Sequence, residues 1–395
     1  MKILVLNSGS SSIKFQLINI EDESVVVKGS VEKIGSNTAI LNYKPEKGQS
    51  VKIVEEILDH TTATKLIVEA LTDEINGVIK NINEIAGVGH RVVHGGERFS
   101  ESVLIDNDVK KDIQDCIDLA PLHNPHNLKG IQACEQFLPG IKQVGVFDTA
   151  FHQKMNSHVY MYALPYMLYS KYKIRRYGFH GTSHRYVTQK AVDILNKPYE
   201  EQRMISCHLG NGSSIAAVKN GVSADTSMGF TPLEGLVMGT RCGDIDPAII
   251  PYIMQHENIS VTNVNFMMNK HSGVLGVSGR FNDMREIEEM IKEGNERCKL
   301  AHDMFTYRIK KYIGAYTASM GGLDILIFTG GIGENSRLVR ENVCTELECF
   351  GISIDPEKNN NNDIVISKDK THVMVIPTNE ELMIARDTAK IINSM

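Results

Sequence analysis

The feature that most constrains this chain is a unit that occurs twice: a short apolar strand, a bend of small polar residues, and a strand that returns. The first copy has a β-rich run at residues 2–6, the bend Asn7-Ser8-Gly9-Ser10-Ser11-Ser12, a strand at 13–20 and a further strand at 25–31. The second has a strand at 203–209, the bend Gly210-Asn211-Gly212-Ser213, a strand at 214–218 and the start of another at 221–224. Polar bends between such runs read as hairpins, so each sheet begins antiparallel. The repeat predicts two related α/β halves facing a cleft. A length of 395 residues is ample for this, at about 150 residues per domain.

Between and after the two units the apolar spacing alternates. Residues 109–119 and 124–137 have helical period, and 141–147 form a buried strand ending at Asp148. Residues 296–320 read as one long helix. A strand at 324–328 leads into the turn Thr329-Gly330-Gly331-Ile332-Gly333-Glu334-Asn335 and another helix. Four successive asparagines within 358–363 read as an exposed loop. The chain closes with a strand at 371–376 and a helix from about Asn379.

Several function classes fall away early. Lys plus Arg total 42 against 48 Asp plus Glu, a net charge of −6, and no basic stripe interleaved with aromatics is present. That gives no general attraction to nucleic acid or to an anionic membrane. No apolar run approaches the roughly 18 residues of a membrane span. Ile3-Leu4-Val5-Leu6 is too short for the core of a secretion signal. The cysteines number 7, an odd count, and Cys344 and Cys349 have no second Cys or His pair near in sequence to complete a zinc site. The expectation is a cytoplasmic protein with reduced thiols.

The chemistry gathers at three Gly/Ser-rich bends, Asn7 to Ser12, Gly210 to Ser213 and Gly330 to Asn335, each following a strand. Small residues let successive backbone N–H groups approach an anion. Lys14, just after the first bend, is within reach of a phosphate. None of the three is the P-loop pattern GxxxxGK[ST], and none is a dinucleotide GxGxxG with a ribose-binding acid. One such bend alone is an ordinary turn; three, two of them in duplicated units, point to phosphate. Arg91, His180 and Arg241 each sit in a glycine-flanked segment: His90-Arg91-Val92-Val93-His94-Gly95-Gly96, Arg175-Arg176-Tyr177-Gly178-Phe179-His180-Gly181, and Gly239-Thr240-Arg241-Cys242-Gly243-Asp244. A guanidinium among glycines suits bidentate binding of carboxylate or phosphate, with a structural salt bridge as the alternative. His180 taken alone also reads as a hydrogen-bonded core histidine. Asp148 and Glu380 are acidic candidates for Mg²⁺, which takes few protein carboxylates; for Glu380 a helix first-turn acid is the alternative. Asp283 and Arg285 look like a helix cap and a first-turn residue.

These segments resemble the acetate kinase family, within the acetate and sugar kinase, Hsp70 and actin superfamily. The resemblance runs from Met1 to about Arg386 and rests on Asn7-Ser8-Gly9-Ser10-Ser11-Ser12-Ile13-Lys14 and on residues 90–96, 177–184, 208–213, 225–247, 330–335 and 378–382. It implies an α/β fold of two duplicated actin-like ATPase (ribonuclease H-like) domains, with mixed sheets flanked by helices and an active-site cleft between them. Residues 1–150 with about 380–395 would form the N-terminal, acetate-side domain, and 151–379 the C-terminal, nucleotide-binding domain. It further implies a homodimer, with no nucleic-acid or membrane partner. The implied activity is Mg²⁺-dependent transfer (Mn²⁺ able to substitute) of the ATP γ-phosphoryl group to acetate, giving acetyl phosphate and ADP.

By the same resemblance Arg91 binds the substrate carboxylate, and Val93, Leu122 and Pro232 form a small apolar pocket for its methyl group. His180 and Arg241 hold the transferring phosphoryl group, with His123 nearby. Asp148 matches the family's catalytic acid, and Asn7 and Glu380 its magnesium positions. The nucleotide segments are His208, Leu209, Gly210, Asn211 and Gly212; Asp283, Met284 and Arg285; and Gly331, Ile332, Gly333, Glu334 and Asn335. Lys14 is a further ATP contact. Cys242 stands where many relatives carry Ser, and the expectation is a thiol near the reactive centre whose thiolate Arg241 favours, against an inert buried Cys.

Acetate has no proton to remove at neutral pH, since carboxyl groups have pKa values of roughly 4. A general base is therefore unnecessary, and the obstacle is repulsion between two anions. Asp148 is expected to act through magnesium and positioning. The competing readings are a propionate- or butyrate-preferring acid kinase, a pyrophosphate-dependent one, and a non-catalytic ATP-binding protein of the same superfamily.

Overall fold

The apolar run Ile3-Leu4-Val5-Leu6 is almost wholly buried, which marks a strand covered on both faces. In the computed structural model, which describes residues 1–395, it is the middle of β1 (Lys2–Ser8). Around β1 lie β2 (Ser12–Asn19), β3 (Ser24–Glu32), β4 (Ser36–Pro45), β5 (Val51–Ile57), β6 (Ile85–Val92), β7 (Val103–Leu104) and β8 (Lys142–Phe147). Their order across the sheet is β5-β4-β3-β2-β1-β6-β8-β7. A second sheet has the order β11-β10-β9-β12-β13, built from β9 (Arg203–His208), β10 (Ser214–Lys219), β11 (Val222–Thr226), β12 (Ile325–Thr329) and β13 (His372–Val375).

The duplication shows in the pairing. β1 pairs antiparallel with β2 and parallel with β6, and β6 is parallel to β8. In the same way β9 pairs antiparallel with β10 and parallel with β12, and β12 is parallel to β13. The chain divides into two compact units, Met1–Gln153 with Asn379–Met395, and Lys154–Thr378. No helix is long and apolar enough to cross a membrane.

In the first unit one sheet face buries Leu4, Leu6, Phe15 and Leu17 in a core shared with helices His60–Thr72 and Asn124–Phe137. The C-terminal helix, Glu380–Asn393, lies close on the opposite face, and glycine makes that possible. A Cβ on Gly89 would come within 2.5 Å of Thr388 Oγ1 and 2.6 Å of Ile384 Cγ2, and one on Gly87 within 2.1 Å of Ile392 Cδ1. Side chains alternate along a strand, so Arg91 points to the same face as Gly87 and Gly89. That brings it to the N-terminal end of this helix.

In the second unit the helix Glu296–Met320 buries Cys298, Ala301, Phe305, Ile309, Ile313, Tyr316 and Met320, a three-and-four spacing that makes one continuous stripe. The stripe packs in one core with Ile205, Cys207 and Leu209 on and just after β9, and with Leu326 and Phe328 on β12.

Four expectations change. β4 and β5 extend the first sheet, although no strand is expected there. They are outer strands with many exposed positions, so ladder hydrogen bonds rather than an apolar run define them. The helix expected at 109–119 spans Asn107–Asp115. The third bend is itself a short helix, Gly330–Asn335. The asparagine run is no loop: Pro356–Asn361 is helical, its start capped by Asp355, whose side chain accepts from Glu357 N at 2.9 Å. The wholly buried Arg340 draws Asn359 inward, with Nε donating to Asn359 Oδ1 at 2.7 Å.

Gly89→Ala is expected to destabilise the protein by about 1–3 kcal/mol, because the new methyl group overpacks the helix seat. Urea unfolding checks this; an unchanged midpoint would mean that the helix is not seated on β6.

Candidate active site

Parallel β1, β6 and β8 end together, and side chains at such carboxyl ends are free to face a ligand. Asn7 stands near the end of β1, Arg91 near the end of β6, and Asp148 directly after β8. Lys14 is the cross-strand partner of Asn7. Asp148 is anchored by its own N–H, which donates to Val92 O at 3.0 Å, and is only 1% exposed. Its carboxylate takes Arg91 in fork geometry: Nε donates to Oδ1 at 3.0 Å and Nη2 to Oδ2 at 2.7 Å. Glu380, the first residue of the C-terminal helix, has Oε2 3.9 Å from Arg91 Nε. Two carboxylates thus share one guanidinium, whose Nη1 makes no hydrogen bond within the protein.

This electrostatic conflict shifts Glu380. Burial, reinforced by the negative charge of Asp148, outweighs the pull of Arg91 and pushes its carboxyl up to about 7. Arg91 moves the other way: the charge of Asp148, with help from Glu380, strengthens its hold on its proton. No group of three His, Cys, Asp or Glu side chains is arranged to hold a metal by protein ligands alone. The donors present here are oxygens, with one more carboxylate than guanidinium. That set fits Mg²⁺, a hard cation that keeps several waters.

In the second unit the bend after β9 draws in side chains from two separate loops. His180 precedes the helix Gly181–Leu195 in a left-handed conformation, φ 55°. For a residue with a Cβ that costs about 1–2 kcal/mol. Arg241 lies in a loop pinned through its backbone: Gly239 N donates to Asn211 O at 3.0 Å, and Ser272 N donates to Thr240 O at 3.0 Å. Both side chains reach Gly212. A Cβ there would lie 3.3 Å from Arg241 Nη1 and 3.8 Å from His180 Nε2. Arg241 has no acidic partner; Nη1 donates to Pro232 O at 3.2 Å, and burial weakens its hold on its proton. A half-buried guanidinium without a counter-ion calls for an anion.

A cavity of about 680 Å³ opens beside this cluster, within the usual size of a ligand site. Gly210, Asn211, Asp283, Met284, Arg285, Gly331, Ile332 and Asn335 line it, together with Asn282, Glu288 and Ser336, which the sequence reading passed over. The remaining nucleotide candidates lie elsewhere. Leu209 is a core residue whose carbonyl accepts from Ile332 N at 2.8 Å, and Gly333 is buried close to Leu209. Glu334 Oε1 accepts from Gly330 N at 3.0 Å and from Thr378 N at 3.1 Å, bracing the bend. His208 stacks on His180, ring centroids 4.2 Å apart. Arg285 forks onto Asp283, the helix cap.

Among the proposed methyl-pocket residues, Val93 is half-buried at the end of β6 and Leu122 is 68% exposed, next to His123. Pro232 lies in the second unit, on the loop that accepts from Arg241. Two residues missed in the sequence organise the first unit. Asn127 donates to Ser8 O at 2.8 Å and accepts from Val93 N at 3.1 Å, while Asn124 bonds both the N–H and the carbonyl of His94. Both are buried asparagines in an otherwise amphipathic helix. That pattern was visible in the sequence, but its meaning depends on which loops come near. The thiolate expectation for Cys242 is corrected. Burial raises its thiol, Asp244 adds to the rise, and Sγ points at Gly243 O, 3.2 Å away.

The chain matches the model of the acetokinase family over residues 2–386. It is 56% identical to an acetate kinase of Halothermothrix orenii over 398 residues, covering 100% of each chain. Among solved structures, acetate kinase from Porphyromonas gingivalis superposes with a TM-score of 0.95 at 52% identity, covering 99% of each chain. A propionate kinase from Francisella tularensis does so with 0.93 at 45% identity, again covering 99% of each chain.

The raised carboxyl of Glu380 sets the sign of a pH effect. Its stability contribution is fully present below its ordinary value of 4.5 and is lost as pH rises through about 7. Metal-free Glu380→Gln is therefore expected to be more stable than the parent at pH 8, on the order of 1–3 kcal/mol, with the gap shrinking toward pH 5. Urea unfolding in chelator at both pH values is the measurement. Equal stability at pH 8 would show that no charge conflict exists.

Proposed function

This chain belongs to the acetokinase family, and from that premise we propose that it reversibly transfers the ATP γ-phosphoryl group to the carboxylate of acetate, giving acetyl phosphate and ADP. The observation that carries this reading is the unpaired guanidinium of Arg241 beside His180 at Gly212. A non-catalytic nucleotide binder has no use for that pair. Arg241 and His180 hold the transferring phosphoryl group and take up the charge that develops on it.

Arg91 holds the acceptor carboxylate through Nη1, its remaining donor, while Asp148 fixes the guanidinium plane. The acceptor oxygen is already anionic, so no step needs a base. Asp148 therefore acts by orientation and charge rather than by taking a proton. Glu380 and Asn7 would hold Mg²⁺, with Asp148 close by. When bound, the ion would supply positive charge to offset that of the phosphates.

The cavity supports ATP over pyrophosphate as donor, because the apolar side chains of Met284 and Ile332 on its wall serve a base-bearing ligand. Val93, Leu122 and Pro232 favour a short acid. One methylene is worth only about 1–3 kcal/mol, which makes propionate the nearest competitor. Helices Tyr166–Tyr172 and Ile249–Glu257 bury no residue within the chain and expose Tyr166, Met167 and Tyr252, which supports a homodimer. Seven free cysteines accord with a reducing, cytoplasmic setting.

Arg241→Ala is expected to lower kcat by about 10³–10⁵-fold, the scale for a guanidinium aimed at a transferring phosphoryl group. Arg91→Ala is expected to raise the acetate KM and lower kcat together. Hydroxylamine trapping of the acyl phosphate, run with acetate, propionate and butyrate and with ATP or pyrophosphate, measures both. Failure of the parent protein to form any acyl phosphate would overturn the function; a few-fold effect of Arg241→Ala would remove that residue from the site.

A further inference from the structure

Behind His180 runs a buried chain of side chains that the reaction itself does not use. His180 Nδ1 lies 2.9 Å from Ser214 Oγ, Ser214 Oγ lies 2.8 Å from His184 Nε2, and His184 Nδ1 lies 2.9 Å from Ser206 Oγ. Ser206, Ser214 and His184 are each 0% exposed. The two serines come from β9 and β10, and the two histidines are four residues apart at the start of one helix.

We propose that Ser206, His184 and Ser214 are positioning residues that lock neutral His180 in the tautomer with its proton on Nε2. The argument is a count of protons. A neutral imidazole has one N–H and one bare nitrogen, and a hydroxyl has one proton. Three links therefore admit two uniform directions. In the first, Ser206 O–H donates to His184 Nδ1, His184 Nε2–H donates to Ser214 Oγ, and Ser214 O–H donates to His180 Nδ1. Each of the three link protons has an acceptor, and His180 keeps its own proton on Nε2. In the second, His180 Nδ1–H donates to Ser214, Ser214 O–H to His184 Nε2, and His184 Nδ1–H to Ser206 Oγ. The hydroxyl proton of Ser206 then has nowhere to go, because Ser206 Oγ makes no other hydrogen bond in its buried site. A buried donor left unmade is costly, so the first direction wins.

The outcome matters because Nε2 is the nitrogen on the Gly212 side, where Arg241 also reaches. His180 then offers an N–H to a phosphoryl oxygen without carrying a positive charge. Its face-to-face stacking on His208 suits a neutral ring, since two imidazolium rings so close would repel. In this division of labour Arg241 supplies charge and His180 supplies direction. The catalytic consequence rests on the phosphoryl-transfer reading above; the tautomer itself does not.

The test is nitrogen NMR of the whole protein labelled with ¹⁵N in its histidine rings, at pH 7.5 without substrate. The His180 signals are identified by their loss in His180→Gln. The expected result is a bare Nδ1 and a protonated Nε2. The opposite tautomer, or an imidazolium, would overturn the proposal. Ser206→Ala removes the group that breaks the tie, so a mixture of His180 tautomers is expected, with kcat down about 5- to 10-fold and both KM values within about 2-fold. An unchanged tautomer together with unchanged kcat in Ser206→Ala would also overturn it. Absence of acyl phosphate formation by the parent protein would sink the function and leave the NMR result standing, so the two failures are distinct.

Discussion

Unbalanced charge is the constraint on which the rest of this structure depends. At the strand ends of the first unit two carboxylates, Asp148 and Glu380, share one guanidinium, Arg91. In the second unit, beside the bend after β9, a half-buried guanidinium, Arg241, has no carboxylate at all. One group of side chains is short of a cation and the other is short of an anion. Left in water such groups would cost little, but partial burial makes each deficit a standing demand for a ligand. On the proposed function, a magnesium ion would answer the first deficit and a phosphoryl group the second.

The fold holds these charges in place by using one plan twice. In each sheet the parallel strands finish at the same edge; Asn7 and Arg91 stand near those ends in the first unit, while in the second His180 and Arg241 come from separate loops and reach Gly212 in the bend after β9. The placement is fixed by packing rather than by the bends themselves. Gly87 and Gly89 let the C-terminal helix settle on β6, and that contact delivers Glu380 to Arg91. Gly239 plays a comparable part in the second unit, where a Cβ would strike Asn211 Oδ1 at 1.9 Å and lift the Arg241 loop from its support.

Behind the charged groups sit buried neutral polar side chains whose hydrogen bonds leave little freedom. Asn124 and Asn127 tie the ends of β1 and β6 to one helix, and Ser206, His184 and Ser214 back His180. In a buried interior each of these groups must find its partner, and a network with every partner supplied has one geometry. Such rigidity is what lets a donor keep its aim as charge moves through the transition state, at no cost in reorganisation.

How much of this could be read from the chain alone depends on the range of the forces involved. The duplicated hairpins, the stripe on Glu296–Met320 and the helix Asn124–Phe137 are local patterns, and they appear where the sequence places them. Arg91, Arg241 and His180 stand out because a charged or basic group among glycines has no packing role. The outer strands β4 and β5 were not legible, because ladder bonds to a neighbour define them. The helix at Pro356–Asn361 was hidden because its key partner, Arg340, is 19 residues from Asn359. The sequence by itself determined the repeating plan and the kinds of group available to bind phosphate and carboxylate. Only the tertiary structure decided that Arg91 would be engaged by Asp148 and Arg241 left unpaired, and that Cys242 would be a half-buried thiol held in its protonated form. Charge balance and desolvation depend on which side chains meet in space, and spacing along the chain does not encode that.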